Sequence, residues 1–371
     1  MRVLHIVGGM NVGGTETMLM NLYRNIDRDK YEFHFISYYD KKAFYDDEIE
    51  RLGGKIIPMK FSNRFGAIAS ILQLRKLIKE NNYEIVHSHT LFNCGIGVLA
   101  AYLGGAKIRI SHAHTVFEEK NSFVKKMYVA VMRKLIRKYS TDFLACSGRA
   151  GAFLFGKNIL KEKNYSFLPN YVNYRKYMND IDGKRVRAEL KIEEDEIVIG
   201  HVGRLIPLKN HLFILDIVKR VKDSGKRVKA IFVGDGDQRE NIESKIREYG
   251  LEDNIIITGI VSNPERYMKS MDIFLLPSIY EGFGLVLLEA QASGLQCLVS
   301  ENIQDETDLN LGLVKKLELS DGAEAWSKET VKMIENRKNI SRKKIEKAFV
   351  EKGYNLEGIL RKIESIYGRK R

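Results

Sequence analysis

The sequence has few cysteines and prolines, and it has no long apolar run. Its 371 residues include three cysteines and five prolines. The cysteines are far apart and odd in number, and no Cys-x-x-Cys pair predicts zinc, so a disulfide framework is excluded and a reducing compartment is indicated. The longest weakly polar stretch, Cys94 to Ala106, is well short of the roughly 20 residues that a membrane-spanning helix needs.

The composition is that of a folded protein with more than one domain. Hydrophobic residues make up 44% of the chain, which excludes a disordered protein. With 30 glycines and five prolines, the chain is not collagen-like or of low complexity. At roughly 100–200 residues per domain, the length predicts about two domains.

Positive charge is concentrated in the first half of the chain. The formal net charge is +13. Residues 1–180 contain 28 basic and 16 acidic residues, whereas residues 181–371 contain 33 and 32. A basic half predicts a polyanionic partner, which could be nucleic acid, an anionic membrane surface or a phosphorylated substrate. A surface that merely keeps the protein soluble is the alternative.

Short apolar runs rich in β-branched residues alternate with helical patterns, and the series restarts after about residue 180. The predicted strands are Val3–Val7, Glu32–Ser37, Lys55–Met59, Glu84–Ser88, Lys107–Ser111, Asp142–Cys146, Glu196–Val202, Val228–Val233, Asn254–Thr258, Asp272–Leu276 and Gln296–Ser300. Such alternation predicts parallel sheets, and two series predict two doubly wound α/β domains. We place the boundary near Pro169–Asp180, and we expect the active site in the cleft between the domains.

Several loops after predicted strands have residues suited to binding anions. The segment from Gly8 to Glu16 contains Gly13 and Gly14 and opens a helix, where backbone amides and the helix dipole favour an anion. In the second half, Gly203 and Arg204 precede Lys209 at another helix start, and these two cations suit a diphosphate. Each loop alone is also compatible with an ordinary tight turn.

A glycine-rich segment, Pro277 to Ala290, is the most informative stretch of the second half. Eight positions separate Glu281 from Glu289, and a Gly-rich turn lies between them at a helix start. Carboxylates accept hydrogen bonds from sugar hydroxyls, so the pair suits a ligand with hydroxyls on either side of a phosphate. Asp235 and Asp237 follow Gly234; they could form an acidic metal site, but a turn with an Asp helix cap is favoured.

Two histidine pairs and one basic helix complete the candidates in the first half. The pairs His87/His89 and His112/His114 each follow a predicted strand; they could bind zinc or serve a structural role. Helix 121–139 has basic residues mainly on one side and Val124, Met127 and other apolar residues on the opposite side. This pattern is typical of an interfacial helix. A helix packed with its apolar side on the sheet is the favoured alternative.

The order of these motifs resembles that of the retaining glycosyltransferases of family 4. The matching residues are Gly203-Arg204 with Lys209-Asn210, Gly234-Asp235-Gly236, Thr258-Gly259, and Glu281-Gly282-Phe283-Gly284 followed by Glu289. The resemblance extends over the whole chain. The stretch from Tyr280 to Cys297 looks most like bacterial enzymes of exopolysaccharide, capsule or O-antigen synthesis.

The resemblance implies a GT-B fold, with two Rossmann-like domains facing across a cleft. Residues 1–172 would bind the acceptor and residues 173–345 would bind the nucleotide-sugar donor. Residues 346–371 would form a C-terminal helix that either caps the second domain or crosses back onto the first. Two positions depart from the family pattern: Tyr171 replaces a glycine before the hinge, and Glu301–Glu306 lacks the usual glycine-rich turn.

The resemblance also implies roles for individual residues. Arg204 and Lys209 would hold the diphosphate, and Glu281 would hold the transferred sugar and a phosphate. Glu289 would bind the ribose. The remaining expected donor contacts are Gly13, Gly14, Gly203, Gly234, Gly259, Ile260, Phe283, Gly284 and Leu285. Among the histidines, His114 would reach the donor sugar with His112 as the second choice, and His89 and His112 would line the acceptor side.

The function expected from the resemblance is retaining transfer from a nucleotide-diphospho-sugar, such as a UDP-sugar. The acceptor would be a saccharide, free or linked to a polyprenyl diphosphate. No metal or other cofactor is expected, and the location would be cytoplasmic, peripheral on the inner face of the cell membrane. A sugar-nucleotide epimerase of the same fold remains an alternative. A nucleic-acid-binding protein is another, although no RNA- or DNA-binding signature is present.

Overall fold

The structure is a computed structural model that describes residues 1–39, 41–59, 66–116, 122–179 and 182–369. The chain divides into two compact units. The first contains Met1–Tyr171 together with Leu356–Arg371, and the second contains Val172–Asn355. The chain therefore leaves the first unit, forms the second, and returns to the first for its last helix.

The first unit is built on a parallel sheet of seven strands in the order β3-β2-β1-β4-β5-β6-β7. Each strand is short and apolar, as expected of strands that are covered on both faces. The strands are β1 (Arg2–Gly8), β2 (Glu32–Ser37), β3 (Lys55–Pro58), β4 (Ile85–Ser88), β5 (Ile108–Ala113), β6 (Asp142–Ala145) and β7 (Tyr165–Phe167).

Helices cover both faces of this sheet. They are α1 (Gly14–Asn25), α2 (Asp46–Arg51), α3 (Gly66–Glu80), α4 (Cys94–Gly104), α5 (Phe123–Tyr139) and α6 (Gly148–Phe155). One apolar core joins α1 to the face of β1 that includes Val3, and a second core joins α3 and α4 to the opposite face through Leu4 and Val86. The sequence alternates between these two faces, as the two-residue period of a strand requires.

The second unit repeats the architecture with six parallel strands in the order β10-β9-β8-β11-β12-β13. The strands are β8 (Ile197–Val202), β9 (Val228–Val233), β10 (Ile255–Gly259), β11 (Ile273–Leu276), β12 (Gln296–Ser300) and β13 (Val314–Leu317). The helices are α7 (Tyr174–Met178), α8 (Gly183–Glu189), α9 (His211–Asp223), α10 (Arg239–Tyr249), α11 (Pro264–Ser270), α12 (Leu285–Ala292), α13 (Gly322–Glu335) and α14 (Arg342–Glu351).

The last helix, α15 (Leu356–Tyr367), packs into the first unit. Its buried residues Ile359, Ile363 and Ile366 belong to the same core as α1. The Lys362 ammonium also donates to the carbonyl of Phe167, at 2.7 Å. The charged tail after Ser341 is thus two helices, of which α14 belongs to the second unit and α15 to the first.

The predicted fold class, two Rossmann-like α/β units, is confirmed. Strand β13 was not predicted, because its sequence Val-Lys-Lys-Leu has too few apolar residues to stand out. Helix α5 differs from the favoured prediction. Its buried residues are Met132 and Ile136, whereas the predicted inward residues Val124 and Met127 are exposed. Asn121, where the prediction began this helix, lies outside the described residues.

Candidate functional site

In the second unit, the loop after β8 presents two cations. Arg204 is exposed, and none of the described residues pairs with its guanidinium. A short 3-10 turn, Pro207–Lys209, follows, and Asn210 adopts a left-handed conformation before α9 begins. Lys209 is largely buried, and its ammonium pairs with the carboxylate of Glu281. The predicted residues Lys209 and Glu281, 72 positions apart, are therefore in contact.

Glu281 lies in the loop between β11 and α12. Its side chain is 7% exposed, and Oε1 accepts from Lys209 and from the Ser278 hydroxyl at 2.9 Å. Within the described part of the chain, Oε2 accepts no hydrogen bond. Because α12 begins at Leu285, Glu281 precedes the helix that contains Glu289. A buried carboxylate with one oxygen unused can bind a hydroxyl group.

The start of α12 has backbone amides that the helix itself does not pair. Gly284 is the residue before the helix and has φ +84°, a conformation that glycine adopts without strain. Phe283 is buried and Leu285 is half-buried. The first amides of a helix have no partner inside it, so this end can bind an anion beside Glu281.

Glu289, one turn into α12, is a half-buried residue whose carboxyl group has a raised pKa. Burial raises the pKa of Glu289 to about 7, although a hydrogen bond from Tyr177 lowers it in part. Tyr177 lies on α7 and is buried. Sequence reasoning did not identify Tyr177, since only the packing of α7 on α12 brings the two residues together.

Close packing of glycines holds the ends of β8, β9 and β10 together. A Cβ atom on Gly234 would overlap the carbonyl oxygen of Gly203. Gly234 and Gly259 also form an isolated β-bridge, and the following Ile260 is 86% exposed. These predicted residues therefore lie together at the carboxyl edge of the sheet, where ligands of doubly wound sheets bind.

The contacts of Asp235 are those of a turn. Its Oδ1 accepts from the amide of Gly236 at 2.8 Å, and its Oδ2 pairs with Arg239 at 3.1 Å. The residue before α10 is Gln238, so neither Asp235 nor Asp237 caps that helix, contrary to the favoured prediction. The loop after β12 lacks the glycine-rich turn of the family pattern. The side-chain amide of Gln304 in this loop donates to the carbonyl of Gly282.

In the first unit, the predicted glycines Gly13 and Gly14 lie at the start of α1. Gly13 is the residue before the helix, and Gly14 is its first residue. A Cβ atom on Gly13 would overlap the carboxylate of Glu16, whose pKa is raised by burial. The loop thus has the amides of a helix start, which the helix itself does not pair, with one acidic side chain folded against them.

Five histidines lie together on one face of the first sheet. They are the four predicted histidines and His5 of β1, which was not predicted from the sequence. His5 could have been noticed as a polar residue inside an apolar strand. The Nδ1 atom of His89 lies 2.8 Å from Nε2 of His114. Nε2 of His87 lies 3.2 Å from Nδ1 of His112. Burial lowers the pKa of His5 and His114 to about 3, and those of the other three well below 6.5.

Two triplets within this group have nitrogens close enough to share a metal ion. They are His5, His87 and His89, and His89, His112 and His114, with ligand atoms within 4.8 Å of one another. These histidines are neutral and, apart from the half-buried His114, they are buried; neither triplet contains a negative ligand that would offset a divalent charge. Their nitrogens already lie at hydrogen-bonding distances from one another, and the contacts fit hydrogen-bonded imidazoles.

Two family models match the chain. Residues 12–175 match "Glycosyltransferase Family 4", and residues 182–353 match "Glycosyl transferases group 1". The division between the two matches falls close to that between the two units of the structure.

Curated relatives extend over most of the chain. The putative glycosyltransferase EpsF of Bacillus subtilis is 34% identical, over 99% of this chain and 96% of the relative. The capsular polysaccharide biosynthesis glycosyltransferase CapH of Staphylococcus aureus is 30% identical, over 92% of each. An Escherichia coli UDP-Gal:alpha-D-GlcNAc-diphosphoundecaprenol alpha-1,3-galactosyltransferase is 27% identical, over 62% of this chain and 61% of the relative.

Solved structures share the fold. The Anabaena protein Alr3699/HepE in complex with UDP superposes with a TM-score of 0.79 at 17% identity, over 99% of this chain and 100% of that one. The lipopolysaccharide outer core galactosyltransferase WaaB superposes with a TM-score of 0.75 at 19% identity, over 99% of each chain. With two Rossmann-like units and full-length relatives, this chain belongs to the family 4, group 1 glycosyltransferases and has the GT-B fold.

Proposed function

We propose that this glycosyltransferase moves a sugar from a UDP-sugar to a saccharide acceptor in the synthesis of a cell-surface polysaccharide, with retention of anomeric configuration. The observation that favours this most is the buried Lys209–Glu281 pair beside the start of α12. It combines a cation for a diphosphate with a carboxylate for a hydroxyl group. The uracil base is proposed because HepE was solved with UDP and the galactosyltransferase relative is named for a UDP-sugar.

The donor would bind at the carboxyl edge of the second sheet. Arg204 and Lys209 hold the diphosphate, and the amides of Phe283, Gly284 and Leu285 hold a phosphate oxygen. Glu281 accepts a hydrogen bond from a hydroxyl of the transferred sugar. The ribose hydroxyls donate to Glu289, and the base lies near Gly259 and Ile260. The loop with Gly13 and Gly14 supplies further amides to the diphosphate.

The reaction breaks the bond between the anomeric carbon and the oxygen of the diphosphate. Negative charge develops on the departing oxygen, and fixed cations and helix starts stabilise it there. The acceptor hydroxyl attacks the same face of the sugar, its oxygen bonds to the anomeric carbon, and its proton passes to the leaving phosphate oxygen. This route needs no protein nucleophile, and we propose that it needs no metal ion.

A lipid-linked diphosphate acceptor is proposed for the first unit. The galactosyltransferase relative is named for a diphosphoundecaprenol-linked acceptor. Residues 1–171 and 356–371 together contain 31 basic and 17 acidic residues, a net charge of +14, whereas residues 172–355 have a net charge of −1. We expect His89 and His112 to line the acceptor side and His114 to reach the donor sugar.

Contact with the inner face of an anionic membrane is part of the proposal. No helix among the described residues is long and apolar enough to span a bilayer. Helix α5 instead exposes Phe123 (81%), Val124 (70%) and Met127 (57%) near Lys125 and Lys126, which are also exposed. Apolar residues beside cations are suited to the boundary between lipid headgroups and acyl chains.

The proposed transfer is tested by incubating the protein with a panel of nucleotide sugars and with saccharide or lipid-linked acceptors. Glu281→Ala and Arg204→Ala should each lower turnover at least a hundredfold, because each removes a group that contacts the reacting sugar or the leaving diphosphate. Glu335→Ala is the matched control, since it breaks an exposed Lys–Glu pair of the same unit, with Lys226 at 2.9 Å. No turnover with any donor, or full activity of both variants, would contradict the proposal.

The same assay separates transfer from epimerisation. A transferase releases UDP and needs an acceptor for full turnover, whereas an epimerase converts the sugar nucleotide without any acceptor. Mass spectrometry that shows loss of the donor and a new sugar on the acceptor supports transfer. An anomeric NMR coupling in the product that matches that of the donor supports retention. An inverted anomeric coupling would contradict the proposed stereochemistry.

A further inference from the structure

Ser278, two residues after the end of β11, is a buried polar residue that lies against the carboxylate proposed to bind the sugar. It is fully shielded from solvent. Its hydroxyl lies 2.9 Å from Oε1 of Glu281. Because an ionised carboxylate can only accept hydrogen bonds, the hydroxyl is the donor. Ser278 can therefore influence how Glu281 meets a ligand without touching that ligand.

Contacts on two sides hold the backbone around Ser278 in place. The hydroxyl of Ser300, the last residue of β12, donates to the carbonyl of Ser278 at 2.6 Å. The amide of the next residue, Ile279, donates to the carbonyl of Leu208 at 2.9 Å. The serine is thus fixed between the end of β12 and the loop that follows β8.

The two oxygens of the Glu281 carboxylate have different surroundings. Oε1 accepts from both the Lys209 ammonium and the Ser278 hydroxyl. Oε2 accepts no hydrogen bond within the described residues, and it is not closed off from solvent. Two donors on Oε1 hold the carboxylate in one orientation, in which Oε2 is the oxygen that a ligand can reach.

Of the two donors, Ser278 is the one that stays in place when a donor nucleotide binds. The Lys209 ammonium is at the end of a flexible four-carbon chain. In the proposed function it also binds the diphosphate, whose negative charge competes with Glu281 for the ammonium. The serine side chain is short and its backbone is held on both sides, so its hydroxyl keeps Oε1 in place.

We propose that Ser278 is a positioning residue that holds Oε1 of Glu281, so that Oε2 accepts a hydrogen bond from a hydroxyl of the transferred sugar. The inference rests on the proposed function, in which Glu281 binds that sugar. Loss of the serine hydroxyl should weaken the binding of ligands that carry the sugar. It should leave the binding of UDP unchanged, since UDP lacks the group that Glu281 contacts.

Calorimetric titration with UDP, UDP-glucose and UDP-galactose measures this difference. Ser278→Ala should weaken binding of the preferred sugar nucleotide about tenfold, the scale of a hydrogen bond to a charged group, and change the affinity for UDP less than about twofold. Ser270→Ala is the matched control; it removes another buried hydroxyl of the same unit, which donates to the carbonyl of Tyr267 at 2.7 Å. An equal loss for UDP and the sugar nucleotide, or no loss for either, would overturn the inference.

Turnover shows whether Ser278 acts through Glu281. Ser278→Ala should lower kcat about tenfold in the wild-type protein but less than about twofold in the Glu281→Ala protein, where the carboxylate that it orients is absent. Effects of equal size in both proteins would overturn the inference. Melting curves show whether Ser278→Ala is folded; if it is not, Ser278→Cys replaces it, because a thiol is only a weak donor and the same losses are expected.

Crystal structures without ligand separate failure of the inference from failure of the proposed function. In the wild-type protein we expect the Ser278 hydroxyl within hydrogen-bonding distance of Oε1 of Glu281. In Ser278→Ala, or in Ser278→Cys if that variant replaces it, we expect the carboxylate to be rotated or to have several orientations. The wild-type orientation in the variant would overturn the inference, whether or not the protein transfers sugar. If no nucleotide sugar binds or is turned over, the proposed function fails, and this comparison still decides the role of Ser278.

Discussion

Glu289 is a carboxyl group whose protonation changes near neutral pH, because burial raises its pKa to about 7. If ribose hydroxyls donate to it, the donor binds best to the ionised form. Donor affinity should therefore rise with pH and level off above pH 7, and at pH 6 it should be about tenfold below the plateau. Isothermal titration with UDP between pH 5.5 and 8.5 measures this.

Glu289→Gln is the matched variant, because it keeps the shape of the side chain and cannot ionise. Its affinity for UDP should be lower than the wild-type plateau and independent of pH over the same range. Stability supplies a second readout. A raised pKa in the folded state means that ionisation disfavours the fold, so the wild-type protein should lose stability relative to Glu289→Gln as pH rises from 4.5 to 7. A difference that does not change with pH would contradict the raised pKa of this carboxyl group.

Single residues were predictable where the chain order of motifs identifies them. Lys209 and Glu281 were proposed from spacing, and the structure shows them paired. His5 and Tyr177 were not, because their importance comes from contacts between elements far apart in sequence. Nothing local in Val-Leu-His-Ile-Val shows that the histidine faces His89, 84 positions away.

At the scale of elements, the alternation of strands and helices could be predicted from the sequence, but the exposed face of α5 could not. Periodicity reveals apolar positions around a helix, and α5 has two such groups. One, with Met132 and Ile136, is buried, whereas the other, with Phe123 and Met127, is exposed. The sequence does not show which group becomes buried, since that depends on the neighbouring helix α4, which packs against α5.

Helix α15 should stabilise the first unit selectively. Ile363 is fully buried in the core that includes α1. Ile363→Ala leaves a cavity and should lower the free energy of unfolding by about 2–5 kcal/mol. Hydrogen exchange followed by mass spectrometry should show faster exchange in β1, β2 and α1, with little change in the second unit. Ser365→Ala, an exposed position of the same helix, is the control; equal effects in both units would contradict the assignment of α15.

At the scale of the whole molecule, the excess positive charge lies in one of the two units. The first unit has a net charge of +14 and the second of −1. Long-range attraction to an anionic surface depends on this division, and salt screens it over about 10 Å at 0.1 M. We therefore expect binding to vesicles containing phosphatidylglycerol, little binding to phosphatidylcholine vesicles, and a steep decrease with added salt.

Variants of equal net charge show which surface binds the vesicles. Lys125→Glu with Lys126→Glu, both on α5, should weaken co-sedimentation with anionic vesicles at least tenfold, since each cation near such a surface contributes about 1 kcal/mol. Lys343→Glu with Lys344→Glu changes the net charge equally on exposed positions of α14 in the second unit. If both double variants lose binding to the same extent, net charge alone explains the attraction and α5 is not the contact surface.

The return of α15 to the first unit has a consequence for synthesis. A ribosome completes residues 172–355 before it makes residues 356–367, so the second unit can fold while the first still lacks a helix of its core. Tyr367, which bonds His87, is among the last residues made of those described. The contact between Tyr367 and His87 in the first unit is thus made only after the whole second unit has been synthesised, so a partly made chain can have one finished unit.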